Sequence, residues 1–253
     1  MNKASNAKRR QLVVGNWKMN GSLRENAELL AKVAVGWQGA HNADVVICPP
    51  FPYLMHTKNA LIDSAVFLGA QTVSEHIKGA YTGEISALML ADLDCKFVII
   101  GHNERRRMQG ETDEQVARQF VAVQLAGLTP ILCVGESLQD REQGRQLDTI
   151  SRQLNAVFTH TGKEVFVNAV LAYEPVWAVG TGKTATPRQA EEVHRFMRTQ
   201  LGDLADKVRI LYGGSVKACN AQQLFALPDI DGALLGGASL DADEFLAICN
   251  AAD

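Results

Sequence analysis

The sequence predicts an α/β fold of one particular kind, a (β/α)8 barrel with eight parallel strands and an outer ring of helices. Three observations lead to this prediction. Eight short apolar runs rich in β-branched residues recur along the chain, and their starts lie roughly 20 to 40 residues apart. Helical stretches with recognisable first residues separate them. The length of 253 residues suits one closed barrel, because such domains routinely reach about 250 residues.

The apolar runs are nearly continuous rather than alternating, which is typical of parallel strands covered on both faces. An open, doubly wound sheet is the alternative, and it would usually carry a GxGxxG turn after the first strand. Here the first run is followed by GNWKMNGS, which lacks that pattern. The predicted strands, in order, are QLVVGN, DVVICP, AVFLGAQ, KFVIIGH, TPILCVG, NAVLAYE, VRILYGG and DGALLGG.

The helices between the strands have clear start and stop signals. Capping-box patterns stand at 22–25, 112–115 and 186–189, and the last of these places proline at the first helical position. Gly127 and Gly202 fall where a helix end favours a left-handed residue. Strand and helix alternating eight times imply a parallel sheet with crossover helices, so we expect one barrel domain over residues 11–253.

Composition narrows the class of protein. The net charge of −3 argues against nucleic acid as a partner. No apolar run approaches the roughly 18 residues of a membrane span, so we expect no membrane partner. The polar start, residues 1–10, carries Lys8, Arg9 and Arg10 without a following apolar core, which predicts a frayed extension and not a secretory signal. Cys48 and Cys133 lie in apolar runs and are expected to be buried in a reducing compartment.

Polar residues follow the predicted strands at the edge where barrel enzymes carry their chemistry. Asn16 and Lys18 follow the first strand, His102 the fourth, Glu136 the fifth and Glu174 the sixth. Each alone is a weak signal, because charges after strands are usually solvated. Closure of the barrel would bring all of them to one mouth, where Lys, His and Glu form a credible acid–base set.

Glycines after the last two strands indicate the kind of ligand. Ser215 ends a Gly-Gly-Ser turn, and Gly236 and Gly237 follow the eighth strand. In barrels these two loops often bind phosphate through backbone N–H groups, although glycines can also simply allow tight turns. No pair of the six histidines has metal-ligand spacing with carboxylates around it. We therefore expect chemistry without metal or cofactor on a small phosphorylated substrate.

The stretch EPVWAVGTGKT, residues 174–184, also ends like a nucleotide-binding P-loop. That motif requires glycine five positions before the second glycine, and this position is Trp177. A bulky indole does not replace the glycine backbone geometry. A nucleotide role is therefore disfavoured.

Seven motifs, spread in order over the chain after residue 11, closely resemble triosephosphate isomerase. They are NWKMN, GAYTGEIS, GHNERR, CVGE, AYEPVWAVGTGKTAT, YGGSV and DGALLGGASL. The resemblance implies a cytoplasmic homodimeric enzyme of glycolysis and gluconeogenesis that interconverts dihydroxyacetone phosphate and D-glyceraldehyde 3-phosphate. It implies no cofactor.

The resemblance also implies a role for each site residue. Glu174 would be the base, and His102 would polarise the carbonyl as a neutral imidazole. Lys18 would supply the cation and Asn16 would help to place the substrate oxygens. The phosphate would be bound by backbone N–H groups of four residues, Gly180, Ser215, Gly236 and Gly237.

The segment of residues 175–183 resembles the mobile lid of that family. Trp177 would touch Glu136 in the open state, and Tyr212 and Ser215 would take over contacts on closure. Lys183 would then serve the lid and not a nucleotide. The lid residues are Pro175, Val176, Trp177, Ala178, Val179, Gly180, Thr181, Gly182 and Lys183.

The chain departs from the family pattern after the histidine, where the usual Ser is replaced by Asn103. We expect Asn103 to keep a hydrogen bond to Glu174 but to shift its resting position. The motif around Thr82 resembles the protruding loop that enters a neighbouring subunit beside Lys18 and His102, which would give a symmetric dimer.

Two other functions are compatible with the fold: a different phosphosugar enzyme on a similar barrel, and a phosphate-ligand-binding barrel that has lost catalysis. The presence of Lys18, His102 and Glu174 together in their motifs favours the isomerase over both.

Overall fold

A computed structural model describes residues 9–39, 42–178 and 185–253. In it eight strands form one closed barrel in which every strand pair is parallel, with neighbours in sequence order from first to eighth. The predicted fold class is confirmed. The strands are β1 Gln11–Asn16, β2 Ala43–Cys48, β3 Val66–Ala70, β4 Phe97–Ile100, β5 Thr129–Val134, β6 Val170–Tyr173, β7 Arg209–Tyr212 and β8 Gly232–Leu235.

Helices surround the barrel and connect successive strands. In the described ranges they are α1 Leu23–Gly36, α2 Leu54–Ala60, α3 Ala87–Asp92, α4 Asn103–Met108, α5 Asp113–Leu125, α6 Leu138–Glu142, α7 Gln146–Thr161, α8 Pro187–Leu201, α9 Ala218–Phe225 and α10 Ala242–Ala251. Short 3₁₀ turns occupy Phe51–Tyr53, Glu164–Asn168, Gly202–Leu204 and Gly237–Leu240.

The helix starts follow the sequence signals closely. Thr112 and Thr186 both form complete capping boxes. In each box the threonine side chain accepts a hydrogen bond from the backbone N–H of the third helical residue, and the side chain of that residue accepts one from the backbone N–H of the threonine. Ser22 accepts a hydrogen bond from the backbone N–H of Glu25, so it caps α1 as expected. Gly127 and Gly202 have φ values of 75° and 59°, in the region that glycine adopts without steric cost.

Side chains pointing into the barrel form a separate apolar cluster, distinct from the larger core between strands and helices. Cys48 and Cys133 belong to it, are fully buried, and are free thiols as predicted. The remaining members are Leu12, Val14, Val46, Phe97, Ile99, Ile131, Val170, Ala172, Leu211 and Leu234. The barrel is therefore filled, which confines any ligand to its mouths.

The barrel closes where β1 meets β8, with Val13 opposite Ala233. Next to this seam Arg9 and Arg10, which we expected to belong to a frayed end, form ion pairs. Arg9 Nε lies 2.8 Å from Asp231 Oδ1, and Arg10 Nε lies 2.7 Å from Asp44 Oδ1. Residues 1–8 of the expected extension lie outside the described residues.

Candidate active site

A cavity of about 810 Å³ opens at the carboxyl ends of the strands. It is the place where a (β/α)8 barrel binds its substrate. Most of the residues singled out in the sequence line it: Asn16, Lys18, His102, Glu174, Ser215, Gly236 and Gly237. Gly180, the remaining phosphate-binding candidate, lies outside the described residues. Barrel closure therefore brings residues from five different strand ends to one cavity.

Lys18 is held in place at the cavity floor by its backbone and by its ammonium group. Its φ of 54° is unusual for a residue other than glycine, and such conformations concentrate at functional sites. Its backbone N–H donates to Asn16 Oδ1 at 3.0 Å. Its Nζ lies 2.5 Å from Glu104 Oε1. The cation is therefore fixed close to the cavity, with a carboxylate that offsets part of its charge.

His102 stands at the end of β4, where it caps α4. Its Nδ1 accepts a hydrogen bond from the backbone N–H of Glu104 at 3.3 Å. In the neutral ring the proton then resides on Nε2, which lies 2.9 Å from Glu174 Oε1. Burial lowers the pKa of this imidazole, whereas the neighbouring Glu174 carboxylate raises it, and in this arrangement the pKa is raised.

Glu174 follows β6 and is 2% exposed. Its carboxylate accepts from the backbone N–H of Asn103 at 2.9 Å and from Asn103 Nδ2 at 2.8 Å. Burial raises the pKa of this carboxyl, but the imidazole of His102 and the N–H groups of Asn103 outweigh burial, so the pKa is lowered. Glu174 is therefore ionised at neutral pH and available as a base.

The two glycines that follow β8 leave backbone open to the cavity. A Cβ added to Gly237 would meet no atom within 4 Å, and a Cβ added to Gly236 would lie 3.2 Å from Lys18 Cε. The backbone here is therefore approachable by a ligand and close to the Lys18 cation. This arrangement suits an anionic group bound by N–H donors.

Glu136 lies two residues after the end of β5 and is fully buried. One oxygen, Oε1, accepts from Trp177 Nε1 at 2.7 Å, from Tyr173 Oη at 3.0 Å and from Arg141 at 3.0 Å. Burial raises the pKa of this carboxyl despite these donors. The expected contact between Trp177 and Glu136 is thus present, and it ties the start of the 175–183 segment to the barrel.

The part of the lid that the structure describes is short. Ala178 donates its N–H to the carbonyl of Pro175 at 2.8 Å, which forms a turn after Glu174. Residues 179–183 of the expected lid lie outside the described residues. The hydroxyl of Tyr212, expected to contact the closed lid, is buried and finds no hydrogen-bond partner in the described part of the chain.

The sequence did not single out several residues at this site. Glu104, two residues after His102, pairs with Lys18. Gln71, which follows β3, donates from Nε2 to the Lys18 carbonyl at 2.9 Å. Arg107 and Lys217 line the outer cavity. Gln71 could have been found, because it is a polar residue immediately after a predicted strand.

In the described ranges no three His, Cys, Asp or Glu side chains are grouped to hold a metal ion. Within those same ranges, no helix combines the length and apolar character needed to cross a bilayer.

Comparison with known proteins identifies the family. The family model for triosephosphate isomerase matches residues 11–252. A triosephosphate isomerase from Thiobacillus denitrificans is 58% identical over 248 residues, covering 96% of this chain and 99% of the relative. A triosephosphate isomerase from Bordetella pertussis is 56% identical, covering 96% of this chain and 98% of the relative. One from Nitrosomonas europaea is 53% identical, covering 95% of this chain and 97% of the relative. The chain belongs to the triosephosphate isomerase family.

Proposed function

We propose that this chain interconverts dihydroxyacetone phosphate and D-glyceraldehyde 3-phosphate, with Glu174 as base, His102 as electrophile and Lys18 as cation. The observation that carries the proposal is the convergence of these three side chains on one cavity beside the exposed backbone of Gly236 and Gly237. Family membership supplies the substrate. The alternative of a non-catalytic phosphate-binding barrel is disfavoured, because a full acid–base set is retained.

The reaction begins when the Glu174 carboxylate takes a proton from the carbon next to the carbonyl. The electrons of that C–H bond form a carbon–carbon double bond, and negative charge develops on the carbonyl oxygen. His102 Nε2–H donates a hydrogen bond to this oxygen, while the Lys18 ammonium lowers the energy of the charge and Asn16 helps to place the substrate oxygens. The hydroxyl proton on the carbon that lost its hydrogen then passes to the former carbonyl oxygen, and Glu174 returns its proton to the former carbonyl carbon, which completes the isomerisation.

Neutral His102 is compatible with this role. The carboxylate that contributes most to raising the imidazole pKa in the resting site is Glu174 itself, and the Glu104 carboxylate adds a smaller contribution. Once Glu174 moves toward a substrate carbon, that contribution weakens, while burial and the Glu104 N–H bonded to Nδ1 remain. Both of these favour the neutral ring.

The phosphate would be bound by the backbone N–H groups of Ser215, Gly236 and Gly237, with Gly180 added from the lid. The lid, residues 175–183, would close over the substrate and exclude water. Closure of the lid would break the hydrogen bond between Trp177 and Glu136. The buried Tyr212 hydroxyl supports this, because it has no hydrogen-bond partner in the described ranges and would gain one on closure.

The experiment is turnover of glyceraldehyde 3-phosphate in buffer with a strong chelator, for the parent and for Glu174→Gln. We expect fast conversion by the parent and a loss of about 10²- to 10⁴-fold in the variant, the usual contribution of a general base. Glu192→Gln, an exposed glutamate on α8, is the matched control and should leave the rate unchanged. No conversion by a folded parent would refute the proposal and favour a phosphate-binding barrel.

We further propose a homodimer formed through the loop around Thr82. Residues 80–84 are exposed, and Tyr81 stacks on His76 with ring centroids 3.8 Å apart. Met19, next to Lys18, is 95% exposed and therefore accessible to a partner subunit. Thr82→Arg should give a monomer in analytical ultracentrifugation, whereas Thr159→Arg on α7 should remain dimeric. A dimeric Thr82→Arg protein would place the interface elsewhere.

We also propose a cytoplasmic location, in keeping with a role in glycolysis and gluconeogenesis. The five free cysteines support a reducing compartment. Fractionation of cells expressing the chain would test the location, and recovery in an oxidising compartment would contradict it.

A further inference from the structure

We propose that Lys217 is a specificity-determining residue that favours phosphorylated substrates, because its ammonium group supplies positive charge at the phosphate side of the cavity. The inference rests on the proposed function, in which backbone N–H groups of Ser215, Gly236 and Gly237 bind the phosphate. It goes beyond that function, because those N–H groups carry no net charge, whereas the phosphate of the substrate does.

The cavity lining has an unfavourable balance of charge for a site that binds an anion. Its described residues carry three cations and four carboxylates, and the whole chain has a net charge of −3. A phosphate ester carries about −1.5 to −2 charges at pH 7. Net charge therefore does not attract the substrate, and the positions of the individual charges decide. The cations are Lys18, Arg107 and Lys217, and the carboxylates are Glu104, Glu174, Asp241 and Glu244.

Two of these carboxylates lie on the side of the reacting carbons, and each has a donor of its own. Glu104 pairs with Lys18, so the charges of these two residues largely offset each other. Glu174 accepts hydrogen bonds from the backbone and the side chain of Asn103.

The other two carboxylates lie at helix N-termini. Asp241 accepts from the backbone N–H of Glu244 at 2.9 Å at the start of α10, and Glu244 Oε1 accepts from the backbone N–H of Ala218 at 2.8 Å at the start of α9. The partial positive charge of a helix N-terminus offsets part of the charge of such a carboxylate. Their repulsion of an anionic ligand is therefore reduced.

Two cations of the lining, Arg107 and Lys217, have no carboxylate partner in the part of the chain that the structure describes. Both side chains are exposed. Arg107 belongs to α4, which begins directly after His102 and so on the side of the reacting carbons. Lys217 follows Ser215 by two residues, on the side of the proposed phosphate site. Lys217 is therefore the cation whose charge acts there without an ion pair to offset it.

The loop that carries Lys217 is held by Asn220. Its Oδ1 accepts from the backbone N–H of Lys217 at 2.8 Å, and its Nδ2 donates to the carbonyl of Ser215 at 3.3 Å. Asn220 therefore joins Ser215 and Lys217 into one unit, and two residues of chain span at most about 7 Å. The lysine ammonium stands on a flexible four-carbon stem, so it can approach a phosphate bound at Ser215.

The size of the effect follows from Coulomb's law. At a separation of about 8 Å in water, one unit charge changes the affinity for a dianion about fivefold at low ionic strength. The Debye length falls from about 30 Å at 0.01 M salt to about 3 Å at 1 M, so the effect should nearly vanish at high salt. Because the charge acts on the phosphate and not on the reacting carbons, KM should change and kcat should not.

The test compares Lys217→Gln with two controls. Lys207→Gln removes an exposed lysine near the opposite, amino end of β7 and changes the net charge equally. Lys217→Arg keeps the charge. For each protein, kcat and KM are measured with glyceraldehyde 3-phosphate, and kcat/KM with unphosphorylated glyceraldehyde, at about 0.01 M and about 1 M salt. Isothermal titration calorimetry with inorganic phosphate gives a Kd that needs no turnover.

We expect Lys217→Gln to raise both KM for glyceraldehyde 3-phosphate and Kd for inorganic phosphate about fivefold at low salt, and less than about twofold at high salt. Its kcat, and its kcat/KM for glyceraldehyde, should equal those of the parent, and both controls should match the parent throughout. An equal loss with both substrates, a loss that persists at high salt, or an equal loss in Lys207→Gln overturns the proposal.

Phosphate binding separates this result from a failure of the proposed function. If the parent binds phosphate but does not convert glyceraldehyde 3-phosphate, the isomerase proposal fails and the change in Kd alone decides the role of Lys217. If the parent converts the substrate and Lys217→Gln matches it at both salt concentrations, only the role of Lys217 is refuted. A parent that binds no phosphate refutes both proposals.

Discussion

Two buried tyrosines in neighbouring strands should respond in opposite ways to the loss of a hydroxyl. Tyr173 and Tyr212 are paired in register at the ends of β6 and β7, and both are almost completely buried. Tyr173 donates from its hydroxyl to Glu136 Oε1 at 3.0 Å. The Tyr212 hydroxyl has no partner among the described residues. We expect Tyr173→Phe to destabilise the protein and Tyr212→Phe not to.

The size of the first effect follows from the contacts of Glu136. A hydrogen bond to a charged group contributes about 1.5–3 kcal/mol. Because Arg141 and Trp177 donate to the same oxygen, Oε1, that oxygen keeps two donors in the variant, and we expect about 1.5 kcal/mol. With roughly 2.1 cal/mol/K of unfolding entropy per residue, a chain of this length has about 0.5 kcal/mol/K, so Tm should fall by about 3 °C.

Scanning calorimetry of the ligand-free protein at one fixed concentration is the assay, since the melting temperature of an oligomer depends on concentration. Tyr212→Phe removes a buried hydroxyl that has no hydrogen-bond partner in the part of the chain that the structure describes, so the Tm of this variant should stay within about 1 °C of the parent or rise. Equal losses in both variants would show that packing of the ring edge, and not the bond to Glu136, determines the effect. An unchanged Tm for Tyr173→Phe would refute the reasoning directly.

Three further outcomes are expected. Gly237→Ala should leave Tm within about 1 °C of the parent, because the added Cβ meets no atom within 4 Å. The same Cβ should raise KM about tenfold, because it blocks the approach of phosphate to the backbone. An unchanged KM would remove Gly237 from the phosphate site. Gly213→Ala places a Cβ 2.9 Å from Glu174 Cγ. Because this contact displaces the base, kcat should fall about tenfold or more. Steady-state kinetics of the folded variant would detect the fall. Burial and the neighbouring Asp229 raise the pKa of Glu191, so the stability that Glu191 contributes is present at low pH and is lost as the pH rises through its folded-state pKa. Glu191→Gln should therefore resist urea better than the parent at pH 8 and about equally at pH 4, and a lower midpoint at pH 8 would contradict this sign.

Much of the fold was predictable from the sequence because local chemistry and global topology agree. The buried strands are continuous apolar runs, and Thr112 and Thr186 mark helix starts by side-chain bonds that involve only the next three residues. The location of the site was predictable for the same reason, since parallel strands in a closed barrel end at one mouth. The proximity of Lys18, His102 and Glu174 could therefore be inferred from the topology alone, without any measured distance.

Contacts between residues distant in sequence could not be predicted in this way. That one oxygen of Glu136 receives three donors depends on how β5, β6 and the turn at Trp177 pack against each other. The Asn103 side chain was expected to bond Glu174. That the backbone N–H of Asn103 bonds the same carboxylate becomes visible only when both strand ends are in position. The ion pair between Arg9 and Asp231 joins residues 222 positions apart, and no local pattern encodes it.

The seam between β1 and β8 has a consequence for how the chain is made. Leu12 pairs with Gly232, so the first strand acquires its second neighbour only after about 220 further residues have been added. At synthesis rates of about 5–20 residues per second this takes roughly 10–45 s. Throughout that interval the nascent chain presents β1 as an unprotected sheet edge on the ribosome, a template for pairing with other chains. The arginines beside the seam are of the kind that discourages such pairing, because charged side chains at an edge oppose edge-to-edge aggregation. Slow translation near the end of the message should therefore lower the yield of folded protein, even though the finished barrel has no edge at all.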